Sequence, residues 1–478
     1  MKLPRPRWPT YGGGHRLRRS LLFASYEGTL AAASDNFGLP FLPLFAVAMG
    51  ASPLQVSLVT AIPNFVANAL QLPFGRLAER TGQRKRLWLL GNGVVRFVWV
   101  PMAALPWLVR DRRLLIMALL ALTAVRGLAA AAALPAWTAL MADLTRRQWR
   151  GHYFAIRNIL ANLVALAATV TGGWLIGRLG YPAGYAAVFG AAWLVGVFSL
   201  LVMLPVHDPS RAGRAAARQP GAEGAGALPP AVPSMPLETG GVRRPLFPSD
   251  LLAGGPRRWR SEAPGFFEWA VTAFIWNAAV NLPMALFPIY FTNDLHGSAS
   301  LWGISNGVTF LMTVLGQRYW GRLCDTTGQR PVMVWSGLWA ALLPLWWAII
   351  PSPEWVVAIN VVGGFGWAGF NLAAFNLLLE VTPDNRRPSY VAVFNLGVGI
   401  ASSVAPILGA WVAEAIGIPA VMVASGVLRL ASLLLFSRWG GVPVRWIPLP
   451  KSSSTVARWT QRPAGWRPSP RARRSQAP

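Results

Sequence analysis

Gly75-Arg76-Leu77-Ala78-Glu79-Arg80-Thr81-Gly82-Gln83-Arg84 and Gly321-Arg322-Leu323-Cys324-Asp325-Thr326-Thr327-Gly328-Gln329-Arg330 read almost alike, 246 positions apart (321 − 75). Each lies between two long apolar stretches. In an apolar chain, a repeat of this spacing means two homologous membrane halves in tandem. Asp143-Leu144-Thr145, Arg150, Tyr153 and Asn158 recur as Glu380-Val381-Thr382, Arg387, Tyr390 and Asn395, 237 positions on (380 − 143). Gly172 and Trp174 then match Gly409 and Trp411. The repeat therefore covers whole halves.

Composition agrees. The chain has 478 residues, 54% hydrophobic and 13% charged, with mean hydropathy +0.41. A soluble domain carries roughly 25% charge. The net charge of +27 invites a nucleic-acid reading. However, the Arg and Lys residues fall in loops and tails between apolar runs, which is the positive-inside pattern and not a basic binding face. The lone cysteine, Cys324, excludes an intramolecular disulfide. The basic start (Lys2, Arg5, Arg7, Arg16, Arg18, Arg19) precedes a run longer than a signal-peptide core, with no Ala-x-Ala site at its end. We read that run as a retained first membrane helix.

A spanning helix needs about 20 apolar residues, which gives twelve spans: 21–48, 53–75, 87–109, 113–141, 152–178 and 183–206, then 264–291, 299–321, 331–350, 354–380, 388–414 and 418–437. The expected architecture is all-α and polytopic. Residues 1–20 form a basic N-terminal segment and 21–206 a first six-helix bundle. Residues 207–263, rich in Pro, Gly, Ala and Arg, form a disordered linker. Residues 264–439 form the second bundle and 440–478 a basic tail. Six spans separate equivalent loops, so the halves are parallel repeats about an axis along the membrane normal, a mark of secondary transporters. The Arg-rich loops at 76–86 and 144–151 lie on the same side as both termini, which makes that side cytoplasmic. Arg110-Asp111-Arg112-Arg113 breaks the rule on the opposite side.

The loop after span 2 resembles the signature loop of the major facilitator superfamily, Gly-x-Leu-x-Asp-Arg-x-Gly-Arg-Arg. Gly75, Leu77, Arg80, Gly82 and Arg84 match; Glu79 stands for the Asp, and Gln83 replaces the first paired Arg. The later copy keeps Gly321, Leu323, Asp325, Gly328 and Arg330. Twelve spans, parallel halves and a long central loop fit the same family over about residues 20–440. The resemblance implies that Glu79 and Asp325, with Asp143, Arg150, Glu380 and Arg387, serve the cytoplasmic gate, latched when the protein opens outward. It also implies that spans 1, 4, 7 and 10 line a central cavity. Physically, Gly75 would permit close helix approach and Gly82 a tight turn, while Arg84, Lys85 and Arg86 sit in the headgroup zone.

Asp35 and Arg126 each lie about 13 residues from a cytoplasmic edge, ~20 Å deep. An intramembrane charge needs a partner or a cavity, so the two form a candidate proton-coupling pair. Removal of Arg126 would then leave Asp35 unpaired. Arg126 sits where family antiporters place an Arg, but Ala129 and Ala130 replace their Gln and Gly. Span 5 retains only Gly172-Gly173 of their glycine motif. Arg96, on a span expected to be peripheral, is a structural partner, and Arg157 snorkels to the interface. Asn36, Trp137, Trp276, Asn277, Asn281, Trp367, Asn371 and Asn376 are candidate cavity residues, with interhelical bonding as the alternative for the amides. Glu27 and Glu268 align as gate or loop ion pairs.

The sequence carries no Walker motif, metal-ligand cluster or nucleophile elbow, so no enzyme, metal or cofactor is expected, and energy would come from an ion gradient. The expected protein is a monomeric, multi-pass plasma-membrane transporter moving a small molecule by proton-coupled efflux. The first alternative is an uptake permease for a sugar or organic anion, with Arg126 binding the anion. The second is a non-transporting receptor or scaffold.

Overall fold

The computed structural model describes residues 14–81, 83–145, 150–206, 255, 259–383 and 387–439. The basic tail and nearly all of the linker lie outside them. The first two helices of the second half continue the logic of the first. We number the spans in chain order: α1a Gly14–Gly38 and α1b Leu42–Ala48, α2 Pro53–Thr81, α3a Arg84–Phe97 and α3b Trp99–Leu108, α4 Arg112–Leu144, α5 Arg150–Leu179 and α6 Ala183–Met203. The second half has α7a Phe266–Asn281 and α7b Leu286–Ile289, α8 Ala299–Thr327, α9 Gln329–Trp347, α10 Trp355–Val381, α11 Arg387–Ile416 and α12 Ile418–Trp439.

Ten of these rods are long and apolar enough to cross a membrane; α2 and α9 fall short on composition. In α9 the cause is four tryptophans and two prolines, which hydropathy scales count as nearly neutral although they bury apolar surface. The expected single helices of spans 1 and 7 are broken. Pro40 falls in the first break and Pro283 in the second, because proline removes a backbone donor and clashes with the preceding turn.

The freed carbonyls are claimed by side chains of neighbouring helices, as a bilayer interior demands. Pro40 leaves Asn36 O without its helical donor, and Thr169 of α5 donates to it at 3.4 Å. Pro283 leaves Ala279 O, which accepts from Ser425 of α12 at 2.6 Å. Pro344 leaves Ala340 O, which accepts from Arg429 Nη1 at 2.8 Å.

Packing repeats between the halves. α1 packs on α5 and α6 as α7a packs on α11 and α12, and α4 packs on α2 and α3 as α10 packs on α8 and α9. Across the halves, α5 meets α8 and α2 meets α11. At the first interface two glycines touch: a Cβ on Gly303 would lie 3.0 Å from Gly173 Cα and 2.6 Å from Thr169 O.

The two ends of the molecule differ. At the end away from residues 14 and 439, one apolar core joins both halves, running from Phe41, Phe45 and Trp99 to Leu286, Phe291 and Trp347. Trp302 of α8 donates to Pro40 O at 2.9 Å, and Ser300 donates to Gly173 O at 3.1 Å. At the termini end each half has its own core, around Trp88 and Leu140 in one and Phe266 and Tyr390 in the other. Among the described residues the cores of the two halves thus join at the far end and stay distinct at the termini end.

Candidate functional site

α1a, α3a and α4 bring three charges together midway along the first half. Arg96 Nη1 lies 2.7 Å from Asp35 Oδ1, and Arg126 Nη2 lies 2.9 Å from the same oxygen. Arg96 Nη1 also donates to Ser34 Oγ at 3.0 Å, and Ser34 donates onward to Ala192 O of α6 at 2.6 Å. Arg126 lies over the Trp99 ring, 5.2 Å from its centroid, and Trp99 stacks on Phe189. Arg96 is 3% exposed and Arg126 14%, whereas Asp35 is 33% exposed. Asp35 Oδ2 makes no hydrogen bond to a described residue. Two guanidiniums therefore grip one carboxylate oxygen and leave the other open. One carboxylate against two cations leaves a local excess of one positive charge.

Arg96 is the shortest-range partner of Asp35, so α3 is not peripheral at this level. Its stem fits because Gly196 on α6 has no side chain: a Cβ there would lie 2.5 Å from Arg96 Cδ. Arg157 does not snorkel. It lies against Gly28, 3.7 Å from buried Glu27, with its guanidinium 4.8 Å from the Trp137 centroid. Trp137 thus holds an arginine and lines an ion pair. Arg429, which sequence reasoning passed over, is 3% exposed. Besides Ala340 O it reaches Val280 O at 3.4 Å, and no carboxylate accompanies it among the described residues. Glu268 pairs with Arg260 at 3.0 Å.

In the second half, Trp276 stacks on Phe370 at 4.2 Å and meets Trp367 edge-on at 6.0 Å. Asn277 and its repeat equivalent Asn36 behave identically, each donating to the carbonyl four residues back at 2.8 Å. Asn281 does the same onto Asn277 O. Asn371 is exposed and makes no hydrogen bond to a described residue. Asn376 donates to Gln329 Oε1 at 3.2 Å, which joins α10 to α9.

At the termini end, Gly75 and Gly321 occupy equivalent places: an added Cβ would lie 3.7 Å from Pro135 and 3.9 Å from Leu372, and Pro135 and Leu372 are themselves 237 residues apart. Those are ordinary contacts, so the close approach expected at Gly75 is not required there. Gly328 ends α8 and opens α9 with φ +86°, a turn that favours glycine. Arg84 and Arg330 are half-buried. Lys85 does not rest in the headgroup zone alone: its Nζ donates to Leu204 O and Val206 O at 2.6 and 2.7 Å, capping the end of α6. Asp325 and Glu380 are exposed and make no hydrogen bond or ion pair to described residues. Gly82 and the side chains of Glu79, Arg80, Asp143, Arg150 and Arg387 lie outside the described residues. Among the described residues no group of three His, Cys, Asp or Glu could hold a metal ion.

Twelve rods in two repeated bundles, with distinct cores at one end and a buried charged cluster, define a rocking-bundle membrane protein of the transporter class. The sequence model of the Major Facilitator Superfamily matches residues 28–290 and 269–476. The chain belongs to that superfamily, which places it among membrane transporters and not among enzymes. It is 28% identical over 165 residues to the multi-drug resistance efflux pump PmrA of Streptococcus pneumoniae, covering 34% of this chain and 41% of that protein. It is 25% identical over 182 residues to the multidrug resistance protein MdtG of Dickeya zeae, covering 36% and 43%. The chain thus spans about two fifths of the length of these relatives. Among solved structures, the nucleoside transporter NupG superposes with a TM-score of 0.64 at 13% identity, over 88% of this chain and 99% of that one. A bacterial homologue of the transporter Spinster, described as inward-facing, gives 0.62 at 16% identity, over 91% and 99%. At such identities the likeness concerns the fold.

Proposed function

We propose that the protein exports a small molecule across the plasma membrane in exchange for protons, by rocking its halves about a site centred on Asp35. The Arg-rich loops at 76–86 and 144–151 support a cytoplasmic termini end, and with that orientation the state described is inward-open. The observation that carries the reading is the geometry at Asp35: one oxygen holds Arg96 and Arg126, the other is free. Protonation of Asp35 would remove the charge that reconciles two buried guanidiniums, leaving like charges to repel at short range. That gives a proton leverage over how α1, α3 and α4 pack, which is what coupling needs. The names of the relatives, both multidrug resistance proteins, favour export.

Uptake of an organic anion is the second reading, favoured by the excess positive charge of the cluster; the anion would bind Arg126. The experiment is a substrate screen in proteoliposomes with and without a pH gradient, using a lipophilic cation, a neutral sugar and a monocarboxylate as probes. Gradient-driven extrusion of the cation supports export. Monocarboxylate entry supports the second reading, and movement of nothing under any gradient returns the protein to a scaffold.

A further inference from the structure

The far end of the molecule carries a cavity of about 610 Å³, bounded by the α1–α2 turn, the start of α4 and Asn293 beyond α7b. Its polar lining is made of donors. Arg112 donates to Gly50 O, which gives the otherwise unexplained arginines of this loop a first role: one closes the end of span 1. Arg113 makes no hydrogen bond or ion pair to any described residue. Gln55 uses its Oε1 in a reciprocal cap with Ser52, and Asn293 uses its Oδ1 to accept from Thr292. Neither amide nitrogen bonds a described residue. No carboxylate lines the cavity among the described residues. Asp111 is committed to Leu114 N as the cap of α4, and Asp294 is not part of the lining.

Arg113, the remaining N–H groups of Arg112 and two amide nitrogens, with no lining acid among the described residues, suit an anion. The cavity has small-molecule size and lies where spans meet the headgroup layer. Arginines are disfavoured on this side by insertion topology, and exposed Arg113 makes no hydrogen bond or ion pair to a described residue.

We propose that this cavity is a second binding site, distinct from the Asp35 cluster, that takes a phosphate group. The phosphate is held by Arg112 and Arg113 of the first half and by Asn293 of the second. Because the site needs both halves, its occupant favours the state in which they join at the far end. The phosphate can belong to an anionic lipid or to a free anion, and the test separates them.

The full-length protein is placed in maltoside micelles, which carry no phosphate, and its unfolding temperature is measured with inorganic phosphate against chloride at equal ionic strength. A second arm adds phosphatidylglycerol to the micelles. Stabilisation in the first arm assigns a free anion, and stabilisation in the second alone assigns a lipid headgroup. In either case Arg113→Gln, which breaks no contact in the fold, weakens binding about tenfold, the equivalent of one lost charge-assisted contact at ~1.4 kcal/mol. Asn293→Ala weakens it less, as the contribution of the other half. The proposal is overturned if neither arm stabilises the wild type, or if Arg113→Gln responds like the wild type. An Asn293→Ala response equal to the wild type would remove the bridging of the halves.

Discussion

Replacement of Asp35 should cost more than replacement of either arginine that holds it. Sequence reasoning alone points the other way, because removal of Arg126 would leave Asp35 without a partner. The structure supplies Arg96 at 2.7 Å as well as Arg126 at 2.9 Å. Arg126→Met therefore removes one charge-assisted hydrogen bond, worth about 1.5–3 kcal/mol, while Asp35 keeps Arg96. Asp35→Asn leaves two buried cations facing a neutral amide, and breaking buried pairs in this way costs roughly 3–5 kcal/mol. The low end applies, since 33% of Asp35 faces solvent. Equilibrium unfolding in mixed micelles, with both single variants and the double, reads the difference. The double variant should be less than additive, because Arg126→Met removes one of the two cations that Asp35→Asn leaves uncompensated. Loss of stability in Arg126→Met equal to or above that in Asp35→Asn, or strict additivity, would refute the shared-carboxylate arrangement.

Arg429→Met should lower stability by about 1–3 kcal/mol, by orphaning Ala340 O. Adding Pro344→Ala restores the helical N–H and should recover part of the loss, as unfolding of the single and double variants would show. Gly303→Leu should abolish transport while leaving the protein folded and monodisperse, because its side chain must enter the 3.0 Å approach to Gly173; proteoliposome flux beside size-exclusion profiles checks this. Gly328→Ala places a Cβ at φ +86° and should cost about 1–2 kcal/mol in the same unfolding assay, with little effect on flux.

The fold was legible because it is written twice. The repeated loops at Gly75 and Gly321 fix the number of halves, and six spans between equivalents fix their parallel sense. The site was legible only in part. Asp35 and Arg126 announce themselves as charges at equal depth in apolar helices. Arg96 reads as a structural partner but not as the partner of Asp35, and Arg157 does not read as buried, because what admits them is a glycine on another helix: Gly196 beside Arg96 and Gly28 beside Arg157. A glycine at matching depth on a neighbouring span was the available signal. Arg429 was missed for a related reason. Pro344 is visible in the sequence, but the donor that repairs its carbonyl comes from α12, about 85 residues later (429 − 344). The breaks in spans 1 and 7 were readable from Pro40 and Pro283, and a rule based on apolar length passes over them.

Proton-linked export through Asp35 is tested most directly by gradient-driven flux through the Asp35→Asn variant in proteoliposomes, measured beside equilibrium binding of the same probe. The account predicts that flux no longer responds to the pH gradient while binding persists. Gradient-driven flux at the wild-type rate would contradict it and leave Asp35 as a structural partner of Arg96 and Arg126.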